Sequence, residues 1–190
     1  MTGFVDSGAD DIRTVSVMVG SLRKAAFSGR LARSLSALAP SDLRVELLPS
    51  VGLLPLYDQD ILDEEVPQAV TELAGLISKS DAFAIVSPEY NWSIPGVLKN
   101  ALDWLSRLKP QPLEDKPVIL LTCSPGLLGG ARAHAPIRNV LHALDTRILA
   151  RPEVQISGVA QKLEGDSISD PATADFVTAR LKAFNEFIRR

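Results

Sequence analysis

The chemistry-bearing residues of this 190-residue chain gather in three short stretches: GSLRKAAFSGR at 20–30, PEYNWSIPG at 88–96 and CSPGLLGGAR at 123–132. The first holds a glycine, hydroxyls at Ser21 and Ser28 and the guanidinium of Arg23, and it leads directly into a helical pattern. Hydrogen-bond donors, positive charge and an aligned helix dipole are what a phosphate group needs. The spacing is neither that of a P-loop nor GxGxxG, so a phosphate on another kind of ligand fits better than a Walker-type triphosphate. For this stretch alone, an ordinary strand–helix turn with Ser21 as cap and Arg23 in solvent is the alternative.

PEYNWSIPG follows an apolar, β-branched run. Pro88 removes a ladder donor and ends the strand, whereas Pro95 suits a first helical turn, where its amide would have no partner anyway. Between the prolines, Asn91, Ser93, the backbone amides and the rings of Tyr90 and Trp92 can hydrogen-bond the edge and shield the face of a planar heterocycle. Packing of Tyr90 and Trp92 on a neighbouring helix is the alternative, and Trp92 is also a candidate for a subunit interface. In CSPGLLGGAR, Gly126, Gly129 and Gly130 permit close backbone approach to a ligand and left-handed turns. Amides in such a loop can stabilise negative charge developing on a ring without any titratable side chain.

For these stretches to act together, one architecture must bring them to the same end of a sheet. Apolar runs at 14–19, 43–48, 82–87, 117–122 and, more weakly, 147–156 read as five strands. Apolar residues at helical spacing over 27–38, 67–78, 95–105, 131–144 and 171–188 supply the connections. The alternation predicts an α/β fold with a doubly wound, five-stranded parallel sheet covered on both faces. Right-handed crossovers leave few topologies, and the flavodoxin-like order 2-1-3-4-5 is the expectation. Ligands of such sheets sit beyond the carboxyl ends of the strands, near the switch between strands one and three, where all three stretches fall. Two longer irregular segments, 51–65 and 158–170, are candidates for functional loops. The first carries Leu53, Leu54, Leu56 and Tyr57, suited to covering the site or meeting a partner subunit.

Residues 13–190 read as one domain, and residues 1–12 as a polar, flexible tail without signal-peptide character. With 46% hydrophobic and 23% charged residues, the chain can bury one continuous core. A net charge of −3, from 23 acidic against 20 basic residues, gives no bulk attraction to nucleic acid or an anionic membrane. No apolar run approaches a membrane span, so a soluble, cytoplasmic protein is expected. The single cysteine, Cys123, excludes an intrachain disulfide and reads as a small core residue at a strand end. His134 and His142 lack metal-ligand spacing and read as surface or interface residues; no metal site is expected.

In order and spacing, GSLRKAAFS, LPLYDQD, PEYNWSIPGVLKNALDW and SPGLLGGAR closely resemble the NAD(P)H-dependent FMN reductase family, flavodoxin-like enzymes that include quinone, chromate and azo-dye reductases. The likeness runs from residue 13 to residue 144 and less sharply to the end. It implies FMN as cofactor, with Ser21, Arg23 and Ser28 around its phosphate. Pro88, Glu89, Tyr90, Asn91 and Ser93 would line the isoalloxazine and ribityl chain, and Ser124 and Gly126 would close the other side of the ring. It further implies NADPH or NADH as electron donor, with Arg132, Arg138 and Arg147 as candidates to favour the 2′-phosphate of NADPH. The acceptor would be a small molecule, such as a quinone, flavin, chromate, azo or nitro compound. Family members are usually dimers, so the resemblance implies a homodimer, with a tetramer as the alternative, in which the helix starting at Pro95 would take part in the contact. No catalytic side chain is expected, because the cofactor carries the chemistry.

The first loop departs from the family pattern, which has serine at position 26 and asparagine at position 28, where this chain has Ala26 and Ser28. Loss of one charge-assisted phosphate contact weakens binding by roughly 1.5–3 kcal/mol, or about 10- to 150-fold, so an exchangeable FMN is expected. Two other readings share these residues. One is an electron carrier that binds FMN without using NAD(P)H, against which the mild charge balance speaks. The other is a flavin-free relative, for which Ala26 is the support.

Overall fold

The computed structural model describes residues 12–190. The expected tail over 1–12 lies outside the described residues except for Ile12. In chain order the elements are β1 (Arg13–Val19), α1 (Phe27–Leu38), β2 (Leu43–Leu47), α2 (Gln59–Glu64), α3 (Gln68–Lys79), β3 (Ala82–Ser87), α4 (Gly96–Arg107), β4 (Pro117–Cys123), α5 (Ala131–Ala143), β5 (Arg147–Ile148), β6 (Val154–Ile156), α6 (Val159–Lys162), β7 (Leu163–Glu164), β8 (Ser167–Ile168) and α7 (Pro171–Ile188).

The main sheet runs β2-β1-β3-β4-β5, the flavodoxin-like order, and every pairing in it is parallel. All residues of β3 and β4 are buried, because helices cover both faces of the centre of a parallel sheet. The two-residue period of a strand sends alternate side chains to opposite faces. Val15, Val17, Ala84, Val86 and Leu121 therefore join Leu31 and Leu35 of α1 and Leu181 and Phe184 of α7 in one core. Met18, Phe83, Ile85 and Leu120 join Leu73 and Ile77 of α3, Leu98 and Leu102 of α4 and Ile137 of α5 in the other.

Four features differ from the sequence expectation. The fifth strand is two pieces: β5 pairs with the start of β4 and β6 with its end, which makes the sheet six-stranded. Pro152 lies between the pieces and has no amide to donate, so continuous pairing is impossible there. The segment 158–170 is not irregular; it forms α6 and an antiparallel hairpin of β7 and β8. His134 is buried rather than at the surface, 2% exposed on the inner side of α5, whereas His142 is exposed as expected.

The segment 51–65 also carries structure, a 3-10 turn over Val51–Leu53 followed by α2. It is clamped to α4, since Asn100 Nδ2 and Trp104 Nε1 both donate to Pro55 O, at 2.8 and 2.9 Å. Asn100 Oδ1 in turn accepts from Tyr57 N at 2.7 Å.

Candidate functional site

At the carboxyl ends of β1, β3 and β4 lies an open cavity of about 140 Å³. Seven of the ten predicted site residues line it: Ser21 and Arg23 from the first loop, Ser28 from α1, Pro88, Glu89 and Tyr90 from the second loop, and Ser124 from the third. Ala26, Phe27, Cys123 and Pro125, which were not predicted, complete the wall. Asn91, Ser93 and Gly126 are not part of it.

The turn chemistry accounts for Asn91 and Ser93. Tyr90 and Ser93 exchange both backbone hydrogen bonds, N to O at 3.1 and 3.0 Å, closing a two-residue hairpin. Its central residues, Asn91 and Trp92, have φ of 48° and 63°, as a type I′ turn requires. Asn91 therefore has a backbone role in the turn, where asparagine is a favoured residue. Trp92 is 71% exposed, and the Arg132 guanidinium stacks over its ring at 4.4 Å.

The first loop packs closely onto β3. Gly20 N donates to Val86 O at 2.9 Å, and a Cβ on Gly20 would stand 2.7 Å from Ser87 Oγ. Ser21 Oγ lies 3.0 Å from the Tyr90 hydroxyl, so the first and second loops touch across the cavity wall. Beyond this loop α1 begins without a cap: its N-cap is Ala26, and no side chain bonds to its first amides. Four amides at a helix start lack helical partners, and an uncapped start directs them and the dipole at whatever lies beyond. Ser28 Oγ is buried here with no hydrogen-bond partner. Ala26, read from sequence as a lost phosphate contact, is the missing cap itself.

The third loop is fixed by close contacts. Gly129 has φ of 59°, and a Cβ there would stand 2.7 Å from the Gln155 carbonyl carbon. Gly130 has φ of 84°, and its Cβ would meet Thr122 Cβ at 2.8 Å. Gly126 has no such crowding, its nearest contact being Ser124 Oγ at 3.9 Å. Glu89, assigned by resemblance to the ring side, lines the cavity, and its Oε2 accepts from the amides of Arg132 and Ala133 at 2.9 and 3.3 Å. Cys123 at the cavity edge is a closed thiol, its pKa pushed up to about 12 by burial, so it supplies no nucleophile at neutral pH. Among the described residues, no three His, Cys, Asp or Glu side chains come together to hold a metal.

The three arginines separate. Arg147 lies on β5 beside the amino end of β4 and pairs with Asp115 at 3.0 Å, at the far end of the sheet from the cavity. Arg138 faces Glu153 at 3.9 Å. Arg132 stands beside the second loop, with no carboxylate partner among the described residues.

The sequence model of the NADPH-dependent FMN reductases matches residues 13–161, which include every loop of this cavity. The chain belongs to that family. It is similar to a quinone reductase of Escherichia coli (strain K12), 45% identical over 179 residues that cover 93% of this chain and 95% of that protein. An NAD(P)H-dependent FMN reductase of Pseudomonas aeruginosa is 34% identical over 183 residues, covering 96% and 98%. Among solved structures, the flavoenzyme NAD(P)H:(acceptor) oxidoreductase FerB of Paracoccus denitrificans superposes with a TM-score of 0.86 at 38% identity, covering 94% of this chain and 98% of that one.

The site of this FMN reductase family member fits the cofactor. An orphaned, buried hydroxyl at Ser28 beside uncapped amides of α1 is an anion cradle without an internal occupant.

Proposed function

We propose that this chain is an FMN-dependent oxidoreductase that passes two electrons from NAD(P)H to a small acceptor, with quinones as the first class to test. The observation that carries the reading is the buried Ser28 hydroxyl, unpartnered among the described residues, at the uncapped start of α1, on the wall of a cavity that the three loops share. The names of the similar proteins, a quinone reductase and an NAD(P)H:(acceptor) oxidoreductase among them, support the donor and acceptor classes.

In this reading Ser28 Oγ, the first amides of α1 and the Arg23 guanidinium hold the phosphate, with Ser21 beside them. Pro88 and Tyr90 form the wall for the ribityl chain and ring, and Ser124 faces them from the third loop. The chemistry that FMN supplies when bound is acceptance of hydride from a nicotinamide and release of two electrons to an acceptor. The chain's part is to bind and orient. The close-packed glycine loop fixes backbone amides at the ring side, where preorganised donors favour developing negative charge. No proton-transfer side chain is required in the wall, and Cys123 stays a neutral thiol. Arg132, without a carboxylate partner among the described residues and stacked on Trp92, is the candidate for contact with the phosphates of NAD(P)H.

Asn91, Ser93 and Gly126 remain candidates for contact with a larger bound species at the cavity rim. The exposed leucines of the clamped segment, Leu53 and Leu56, together with Leu22, form an apolar rim suited to a homodimer contact. No described helix is long and apolar enough to cross a membrane, and the reading places the enzyme in the cytoplasm.

The test is a visible spectrum of the protein titrated with FMN, then exposed anaerobically to NADPH or NADH, followed by a benzoquinone. Saturable binding, bleaching by a nicotinamide and recolouring by the quinone are expected. Bound flavin that neither nucleotide bleaches would mean an electron carrier, and absence of binding would overturn the cofactor assignment.

A further inference from the structure

We infer that Glu89 is a positioning residue, a cap supplied by the second loop that holds the start of α5, and with it the glycine loop, against the cavity. The helix cannot cap itself. Its N-cap is Gly130, which has no side chain and is confined to glycine by φ of 84° and by Thr122 at 2.8 Å from any Cβ. Glu89 Oε2 fills the vacancy, taking the amides of Arg132 at 2.9 Å and Ala133 at 3.3 Å from 43 and 44 residues away. A carboxylate at a helix N-terminus gains from both the charge-assisted bonds and the dipole.

The carboxylate has two effects on the cavity. It joins the second loop to the third, because Pro88, Glu89 and Tyr90 line one wall and Ser124 and Pro125, just before the capped helix, line another. It also occupies the Arg132 amide of α5, the second helix start near the cavity, and shares the Ala133 amide with Gly130 O, while the Ala131 amide bonds Leu128 O. An incoming phosphate finds free amides at α1, where no side chain caps the helix. Arg132 is held twice, by its amide to Glu89 and by its guanidinium over Trp92 at 4.4 Å, both partners belonging to the second loop.

The inference rests on the FMN reading above only for its ligand readout, so two measurements are paired. The first is amide hydrogen exchange of the flavin-free protein, comparing wild type with Glu89→Ala and the near-isosteric Glu89→Gln. Positioning predicts faster exchange over 124–134 in Glu89→Ala, with protection elsewhere unchanged, and near-native protection in Glu89→Gln, whose amide oxygen still accepts. Unchanged exchange in Glu89→Ala overturns the proposal whether or not the protein binds flavin. If Glu89→Ala loses protection throughout, Glu89→Gln decides: native-like protection supports the cap, and loss confined to 124–134 overturns the claim that an acceptor oxygen suffices.

The second measurement is the dissociation constant for FMN and for riboflavin, which lacks the phosphate. Because Glu89 acts on the ring side, Glu89→Ala is expected to weaken both by the same factor, about 10-fold, with Glu89→Gln within about 3-fold of wild type. A loss confined to FMN, or an equal loss in Glu89→Gln, would show that the charge acts on the ligand directly and would overturn the positioning role. Wild type that binds neither flavin would sink the cofactor assignment while leaving the exchange result to stand on its own.

Discussion

The Tyr90 hydroxyl lies 3.0 Å from Ser21 Oγ, joining a loop of the β1 crossover to one of the β3 crossover, 69 residues apart. Neither group is deeply buried, so water competes for both. A double-mutant cycle of Ser21→Ala and Tyr90→Phe, read by urea denaturation of the flavin-free protein, should give a coupling of about 0.5 kcal/mol, at the low end for neutral hydrogen bonds. A coupling above about 1.5 kcal/mol would mean that the two loops are held more tightly than the pair's exposure allows.

Ser28→Ala should separate stability from binding. A buried hydroxyl without a partner costs about 1–3 kcal/mol, so its removal should leave the flavin-free protein as stable or more stable in a thermal melt. FMN affinity should fall by about 10-fold, the loss of one charge-assisted bond, while riboflavin affinity stays unchanged. Equal losses for the two ligands would place Ser28 away from the phosphate.

The glycines of the third loop should divide into two kinds. Gly130→Ala and Gly129→Ala each force a Cβ within 3.0 Å of fixed atoms at a left-handed φ, and each should cost more than about 2 kcal/mol. Gly126→Ala meets nothing closer than 3.9 Å and should melt like wild type. If ligand approaches the backbone there, its FMN affinity should still drop; an unchanged affinity would remove Gly126 from the site.

Much of this was legible in the sequence, for identifiable reasons. The bounds of α1 and α7 follow from apolar spacing and, for α7, from the Asp170–Pro171 start, where Asp170 accepts from Thr173 N at 2.9 Å. The three loops are marked by their prolines and glycines. Less legible was whatever depends on two distant segments at once. The second role of Glu89, at the start of α5, is not visible in sequence because nothing near it reveals that the helix start at Gly130 needs an acceptor. Asn91 also serves as a hairpin residue, because Tyr90 and Ser93 bridge across it. The asparagine preference of type I′ turns is a local signal of that bridge, but no local signal marks the burial of His134.

Burial pushes the His134 imidazole below its ordinary value; Glu153 opposes and Arg138 assists. The unfolded chain therefore takes up this proton at higher pH than the folded one. The associated stability is present above about pH 6.5 and is lost as pH falls from there through the depressed folded value. Wild type should lose more stability than His134→Gln between about pH 7.5 and about pH 5.5 in chemical denaturation. Parallel losses in the two proteins would show that the imidazole is protonated as easily in the fold as outside it.

The chain's two tryptophans divide the molecule optically. Trp104 is fully buried and donates to Pro55 O at 2.9 Å, while Trp92 stands 71% exposed at the tip of the second loop under the Arg132 guanidinium. Their emission should therefore come as two components: a blue one that iodide cannot quench, reporting the clamp on the 51–58 segment, and a red one that it can, reporting the loop beside the cavity. A single fluorescence trace thus distinguishes events at the binding loop from melting of the core, with no label attached.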